Sequence, residues 1–237
     1  MTLKRIALFF GLVLTANALG LTAKGTVGLA AGNTSVSLAN VTCSTGDVLI
    51  VTGILNNTIT SVTWGANTLN LAVSKVQSTG TAMGAIYYFY VASGATATVT
   101  ASWTGTHIGA ISVSTIQGAS ATPLDQIASA NGNSTTPSSG ATPSTLQPSE
   151  IAIGAVAMNA ATIGGSWSNG WSPNQNVTSS SSITVGDGFL IVSTINAQTA
   201  AKTGTSSAQW AAVCATFKAA TNCQPTLGTL GVSQCGD

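Results

Sequence analysis

The chain reads as an all-β protein, an antiparallel sandwich of about twelve short strands. Three observations predict this. Helix formers such as Glu, Lys, Arg and Leu are scarce, while β-branched residues and Gly recur throughout. Short apolar or alternating runs are punctuated by turn-forming clusters, among them Gly46-Asp47, Gly65-Ala66-Asn67, Ser93-Gly94 and Gly186-Asp187-Gly188. A hydrophobic content of 44%, carried mostly by Ala, Val and Ile, excludes disorder as a description of the whole chain.

The elements follow in order. Lys4 and Arg5 form a short basic head, an apolar run extends from Ile6 to Val13, and Ala16-Asn17-Ala18 supplies a small-residue cleavage site. Residues 1–18 are therefore expected to be a secretory signal peptide. The apolar run falls well short of the ~20 residues that span a bilayer, so no membrane insertion is expected after cleavage. Residues 19–33 form a leader in which Val27, Leu29 and Ala31 alternate within a Gly/Ala/Thr stretch. Such a segment suits a donor strand that inserts into a neighbouring copy, but equally a flexible leader or a first strand of its own domain.

The sandwich is expected over residues 34–219. Its strands are predicted near 35–41, 48–55, 59–64, 68–73, 85–91, 95–103, 108–116, 151–158, 163–167, 177–185, 189–195 and 208–217. The run Thr96-Ala97-Thr98-Val99-Thr100-Ala101 alternates, as a half-buried strand does. Val48-Leu49-Ile50-Val51 and Ile86-Tyr87-Tyr88-Phe89-Tyr90-Val91 are apolar on both faces and should lie centrally or against a partner subunit. Residues 134–149, rich in Pro, Ser, Thr and Gly, read as a linker or long crossing loop. Residues 220–237 form a C-terminal tail.

A faint duplication appears at an offset of 103. It places Asp47-Val48-Leu49-Ile50 on Glu150-Ile151-Ala152-Ile153, Trp64 on Trp167, and Ile86-Tyr87-Tyr88-Phe89 on Phe189-Leu190-Ile191-Val192. The order of Ser61-Val62-Thr63-Trp64, the stretch Gly94 to Thr100 and the turn Thr122-Pro123-Leu124-Asp125 resembles jelly-roll, lectin-like β-sandwich modules of bacterial surface proteins and phage fibres, over about residues 34 to 219. The resemblance implies a jelly-roll-like sandwich with a stalk, filament or adhesive role, and brings no catalytic residues with it.

Charged residues make up 5% of the chain, against about 25% in an ordinary domain. Without Lys4 and Arg5, four cations face five acids, a net charge of −1. With no basic patch, neither nucleic acid nor an anionic membrane is an expected partner. The acids sit at turn-like places and read as turn formers. A calcium site on Asp187 or Asp47 is the rival, weakened because Ca²⁺ draws on several carboxylates. The single histidine, His107, reads as a loop residue. The nearest nucleophile elbow, Ser166-Trp167-Ser168-Asn169-Gly170, lacks its first Gly. No catalytic residues, metal or cofactor are assigned, and a secreted hydrolase is the remote alternative.

Four cysteines in an exported chain suggest two disulfides, with Cys223–Cys235 tying the tail and Cys43–Cys214 joining an early strand to the last. The stretch Gly165 to Asn176 holds Trp167, Asn169 and Trp171, a pairing of aromatic faces and amides that suits sugar rings, unless the tryptophans are core filler. Five N-x-[ST] sequons, at Asn33, Asn40, Asn56, Asn133 and Asn176, permit glycosylation without arguing for it. The expected function is an extracellular structural subunit that polymerises with copies of itself through Val27, Leu29 and Ala31 into a filament, sheath or surface layer. The alternative is a carbohydrate-binding adhesin module.

Overall fold

The computed structural model describes residues 18–56, 59–77, 82–179 and 183–221. The expected signal peptide through residue 17, the pair Cys223 and Cys235, and the tail from residue 222 lie outside them. The described residues contain no helix. The first half supplies β1 (Gly20–Cys43), β2 (Val48–Asn56), β3 (Ile59–Trp64), β4 (Asn67–Thr68), β5 (Asn70–Val76), β6 (Ala82–Tyr90) and β7 (Ala95–Gln117). The second half supplies β8 (Ala119–Ser134), β9 (Glu150–Met158), β10 (Gly164–Trp167), β11 (Ser172–Ser179), β12 (Ile183–Val192), β13 (Lys202–Thr205) and β14 (Ala208–Ala219).

Each half builds its own sheet. The first runs β4-β3-β7-β2-β6-β5, with β1 also paired to β7, and the second runs β11-β12-β9-β14-β8. All pairings are antiparallel. The order β5-β6-β2-β7-β1 is repeated as β11-β12-β9-β14-β8, so the sequence duplication is a duplication of topology. The registers have slipped. Val48 pairs with Tyr90 and Ile116, whereas Ile151 pairs with Ile191 and Phe217, two residues short of the offset. An even slip leaves every side chain on its original face. Val48, Ile50, Ile86 and Ala110 therefore meet Ile151, Ile153, Phe189 and Val213 in one apolar layer between the sheets.

The first sheet also folds over itself. Strand β7 pairs with β2 through Ala110–Ile116 and with β3 through Val99–Trp103. The register of β1 breaks opposite the stretch between these segments, and that of β3 breaks between Ile59 and Ser61, opposite Trp103 and Ser102. Gly32 and Gly105, with φ of +102° and +80°, supply backbone that other residues avoid. The folded-over limb closes a second core, in which Val36, Val62, Trp64, Val99 and Trp103 pack on Leu49, Val51, Ala85, Ile111 and Val113. Trp64 Nε1 donates to Val41 O at 3.1 Å and Trp103 Nε1 to Asn33 O at 2.9 Å, which satisfies both buried indoles.

Some expectations are narrowed and others corrected. Of the roles left open for the leader, residues 20–29 take that of a first strand of their own domain: they are the first half of β1, with Val27 opposite Ile111 and Leu29 opposite Gly109, both half-buried. Ala31 lies in the irregular stretch that follows. The ranges 95–103 and 108–116 are one bent strand, and His107 lies within it, half-buried, rather than in a loop. The range 177–185 straddles the β11–β12 hairpin. Strand β8 was not anticipated, because its residues are small and polar and Pro123 lies in an irregular stretch of its pairing, tolerated at an edge. Residues 135–149 are a crossing loop laced to the 196–205 segment, through Ser139 N to Ala200 O, Thr142 N to Gln198 O and Lys202 N to Pro137 O.

Cys43 and Cys214 are not bridged; both are free and buried. Cys43 belongs to the core inside the folded-over sheet, and Cys214 packs on the far side of the second sheet against Trp171 and Ala200. Two sheets separate them. Burial pushes the thiols up to about 11 and about 12 respectively, which keeps them protonated and unreactive.

Candidate tryptophan cleft on the second sheet

The outer face of the second sheet is covered by loops and the β10–β13 pair, and its cover is built on glycines. A methyl group at Gly154 would stand 2.9 Å from the indole of Trp171, and one at Gly188 would stand 2.7 Å from that of Trp167. Gly154 and Gly188 are cross-strand partners, so together they make a flat floor for two large rings. The rings stack at 5.6 Å between centroids and 19° between planes. The same device recurs where Trp103 lies on Gly109 and Trp210 on Gly132. Gly186-Asp187-Gly188, which resembles a turn in sequence, is thus mid-strand in β12.

Trp171 is only 6% exposed and packs with Ala152, Ala200 and Cys214, so it is chiefly core. Trp167 is half-buried and lines a cleft of about 400 Å³ with Ser166, Pro173, Asn176 and Lys202. Asn169 does not line it. With φ of +57°, followed by Gly170 at +80°, it shapes the turn closed by Trp171 N donating to Ser168 O at 3.2 Å.

Lys202 is the residue that sequence inspection missed. Its Cα partner across the β10–β13 pair is Trp167, which puts both side chains on one face. The ammonium sits 5.1 Å from the Trp167 ring centroid. Lys202 is 4% exposed, and its ammonium has no ion pair or hydrogen bond among the described residues. Burial lowers its pKa from the ordinary lysine value. A lone lysine in the Ala/Thr/Gly stretch 200–205 was the available signal.

Two acids are also buried. Asp187 lies between the sheets. It accepts hydrogen bonds from Thr52 Oγ1 (3.1 Å), Ser112 Oγ (3.0 Å), Asn174 Nδ2 (3.1 Å) and the Gln175 amide (2.7 Å). Burial raises its pKa and these donors oppose the rise. It is a polar tie across the sandwich, whereas Asp47 is the turn former expected, capping Ser44 N at 2.8 Å. Glu150 at the start of β9 is 0% exposed, and neither carboxylate oxygen has a hydrogen-bond partner. Burial pushes its carboxyl up to about 7, and the charge of neighbouring Asp125 acts in the same direction. No cluster of three or more His, Cys, Asp or Glu suited to a metal occurs among the described residues.

No protein-family model, curated protein or solved structure matches this chain.

Proposed function

We propose that the chain is an extracellular structural subunit that assembles with copies of itself by exchanging the first half of β1. The observation that supports this most is the division of that strand. Among the described strands, residues 20–29 pair with β7 alone, with one further bond from Ser179 Oγ to Leu29 O, and the register is irregular from Leu29 to Ser35 around Gly32 before the strand resumes. Carried to a neighbour, the arm would re-form the same pairs, Val27 with Ile111 and Leu29 with Gly109, while the irregular stretch absorbs the change of direction. The 5% charge content leaves little repulsion between copies.

The test compares the full exported chain, a chain beginning near Gly32, and Val27→Asp. Light scattering and electron microscopy should find ordered polymers for the first only, since an aspartate in the apolar core would have no partner. A full chain that stays monomeric at high concentration overturns the proposal.

A second reading, a carbohydrate-binding adhesin module, is supported by the Trp167 cleft. The indole, with Ser166 and Asn176 beside it, offers an apolar face and neutral polar edges of the kind sugars use.

A further inference from the structure

We propose that the cleft beside Trp167 binds a carboxylate-bearing saccharide, with the Lys202 ammonium as counter-ion. The inference rests on the adhesin reading and names its ligand class. Lysine is almost never fully buried without a partner. The other described lysines, Lys24, Lys75 and Lys218, keep a substantial part of their surface in solvent, and Lys202 alone is withdrawn from it.

What holds Lys202 in place is its backbone, through the bond to Pro137 O at 3.0 Å and the pairing with Trp167. What its head meets is the Trp167 ring and the open cleft. The ring's negative face offsets part of the positive charge, but no acidic residue lines the cleft. The site is therefore a walled pocket with one uncompensated positive charge at its edge. An anion completes it.

The rest of the wall selects which anion. Trp167 and Pro173 offer apolar surface, and Ser166 and Asn176 offer neutral donors and acceptors. A bare inorganic ion would use only the ammonium. A sugar acid uses all of them, placing its ring against the aromatic wall, its hydroxyls at Ser166 and Asn176 and its carboxylate at Lys202. The volume of about 400 Å³ falls within the roughly 300–1,000 Å³ of small-molecule sites.

The experiment is titration of the exported protein with a glucuronic-acid disaccharide, its neutral glucose counterpart and acetate, read by calorimetry and tryptophan fluorescence. The acidic disaccharide should bind at least tenfold more tightly than the neutral one, and acetate should not bind measurably. Lys202→Met should erase the tenfold preference while the melting temperature holds or rises, because a buried unpaired charge is removed. Lys202→Gln is the second variant should the first not fold. Equal binding of the two disaccharides overturns this inference and leaves the adhesin reading standing. Binding of neither removes both. Tight acetate binding would mean that the ammonium suffices without the apolar and neutral walls, and removes the saccharide as the ligand class; acid preference surviving both variants removes Lys202 as the recognition group.

Discussion

The two sheets share one strand order but cover their outer faces in different ways, and the difference locates the candidate site. The first sheet covers its outer face with itself, by bending β1 and β7, with β3 alongside their far limb, back over β2 and β6. The cover is hydrogen-bonded strand, with apolar side chains packed beneath it. The second sheet has no such limb. Loops and one short strand pair lie over it, with tryptophans seated on glycines. Loops follow the underlying sheet less closely than strands do, and the cleft forms where they part. Duplication supplied two equivalent scaffolds; the cleft came from covering one of them loosely.

That contrast can be broken experimentally. The equivalent residues Trp64 and Trp167 offer the largest effect. Trp64, 1% exposed beneath strands, should cost about 3–5 kcal/mol when replaced by Ala. Trp167→Ala, under loops and beside open space, should cost no more than about 2 kcal/mol. Urea denaturation of both variants measures the difference. Equal losses would mean that the loop cover is as integral to the fold as the strand cover.

Glu150 provides the next effect, at the strand entry equivalent to that of Asp47. Its carboxyl rises from 4.5 to about 7 on folding. The stability linked to it is fully present below the unfolded value and is lost as pH climbs through about 7. The melting temperature should therefore fall by several degrees between pH 5.5 and pH 8.5. Glu150→Gln should flatten that dependence and melt higher at pH 8.5, by an amount corresponding to about 2 kcal/mol. A variant with the wild-type pH profile would assign the dependence elsewhere.

The smallest effect concerns the thiols, one under each cover. Cys43 and Cys214 should both resist alkylation in the native protein and react at once in denaturant. Replacement of either by Ala should cost only about 1 kcal/mol. Of the two, Cys214 under the loops should be the first to label when the chain is warmed. Labelling of Cys43 first would reverse the order of looseness inferred for the two covers.

Much of the sandwich was legible in the sequence. The strand over residues 59–64 coincides with β3, and β2, β6, β9 and β14 fall where apolar runs predict them, since buried strands carry their signal in composition. The duplication was legible because Val48 and Ile151, or Ile86 and Phe189, face the same layer. Strand β8 was not, because an edge strand of small polar residues looks like a loop until its partner is known, and the first half of β1 was legible only as one of three roles open to the alternating leader. The cleft was half legible. Trp167 announced itself as an aromatic among Ser and Asn, but Lys202 lies 35 positions away in a featureless stretch, and only the β10–β13 pairing joins them. Gly186 and Gly188 misled for a related reason: glycine beneath a packed side chain, Ile163 at one and the Trp167 indole at the other, and glycine in a turn are the same letter.

The pairing of β1 with β7 has a consequence for the time course of folding. Thr22 bonds to Gln117 across 95 residues, and β8 waits as long for β14. Neither opening strand can find its place until the closing strand of its own half has been made. Pairings so distant in sequence make folding slow. During synthesis, the nascent first half carries an unsatisfied strand edge until its seventh strand emerges, and the second half then repeats the delay. A chain built this way stays unfinished for longer than one whose neighbours in sequence are neighbours in space. During that interval, a second copy nearby would present β1 with a closing strand as good as its own.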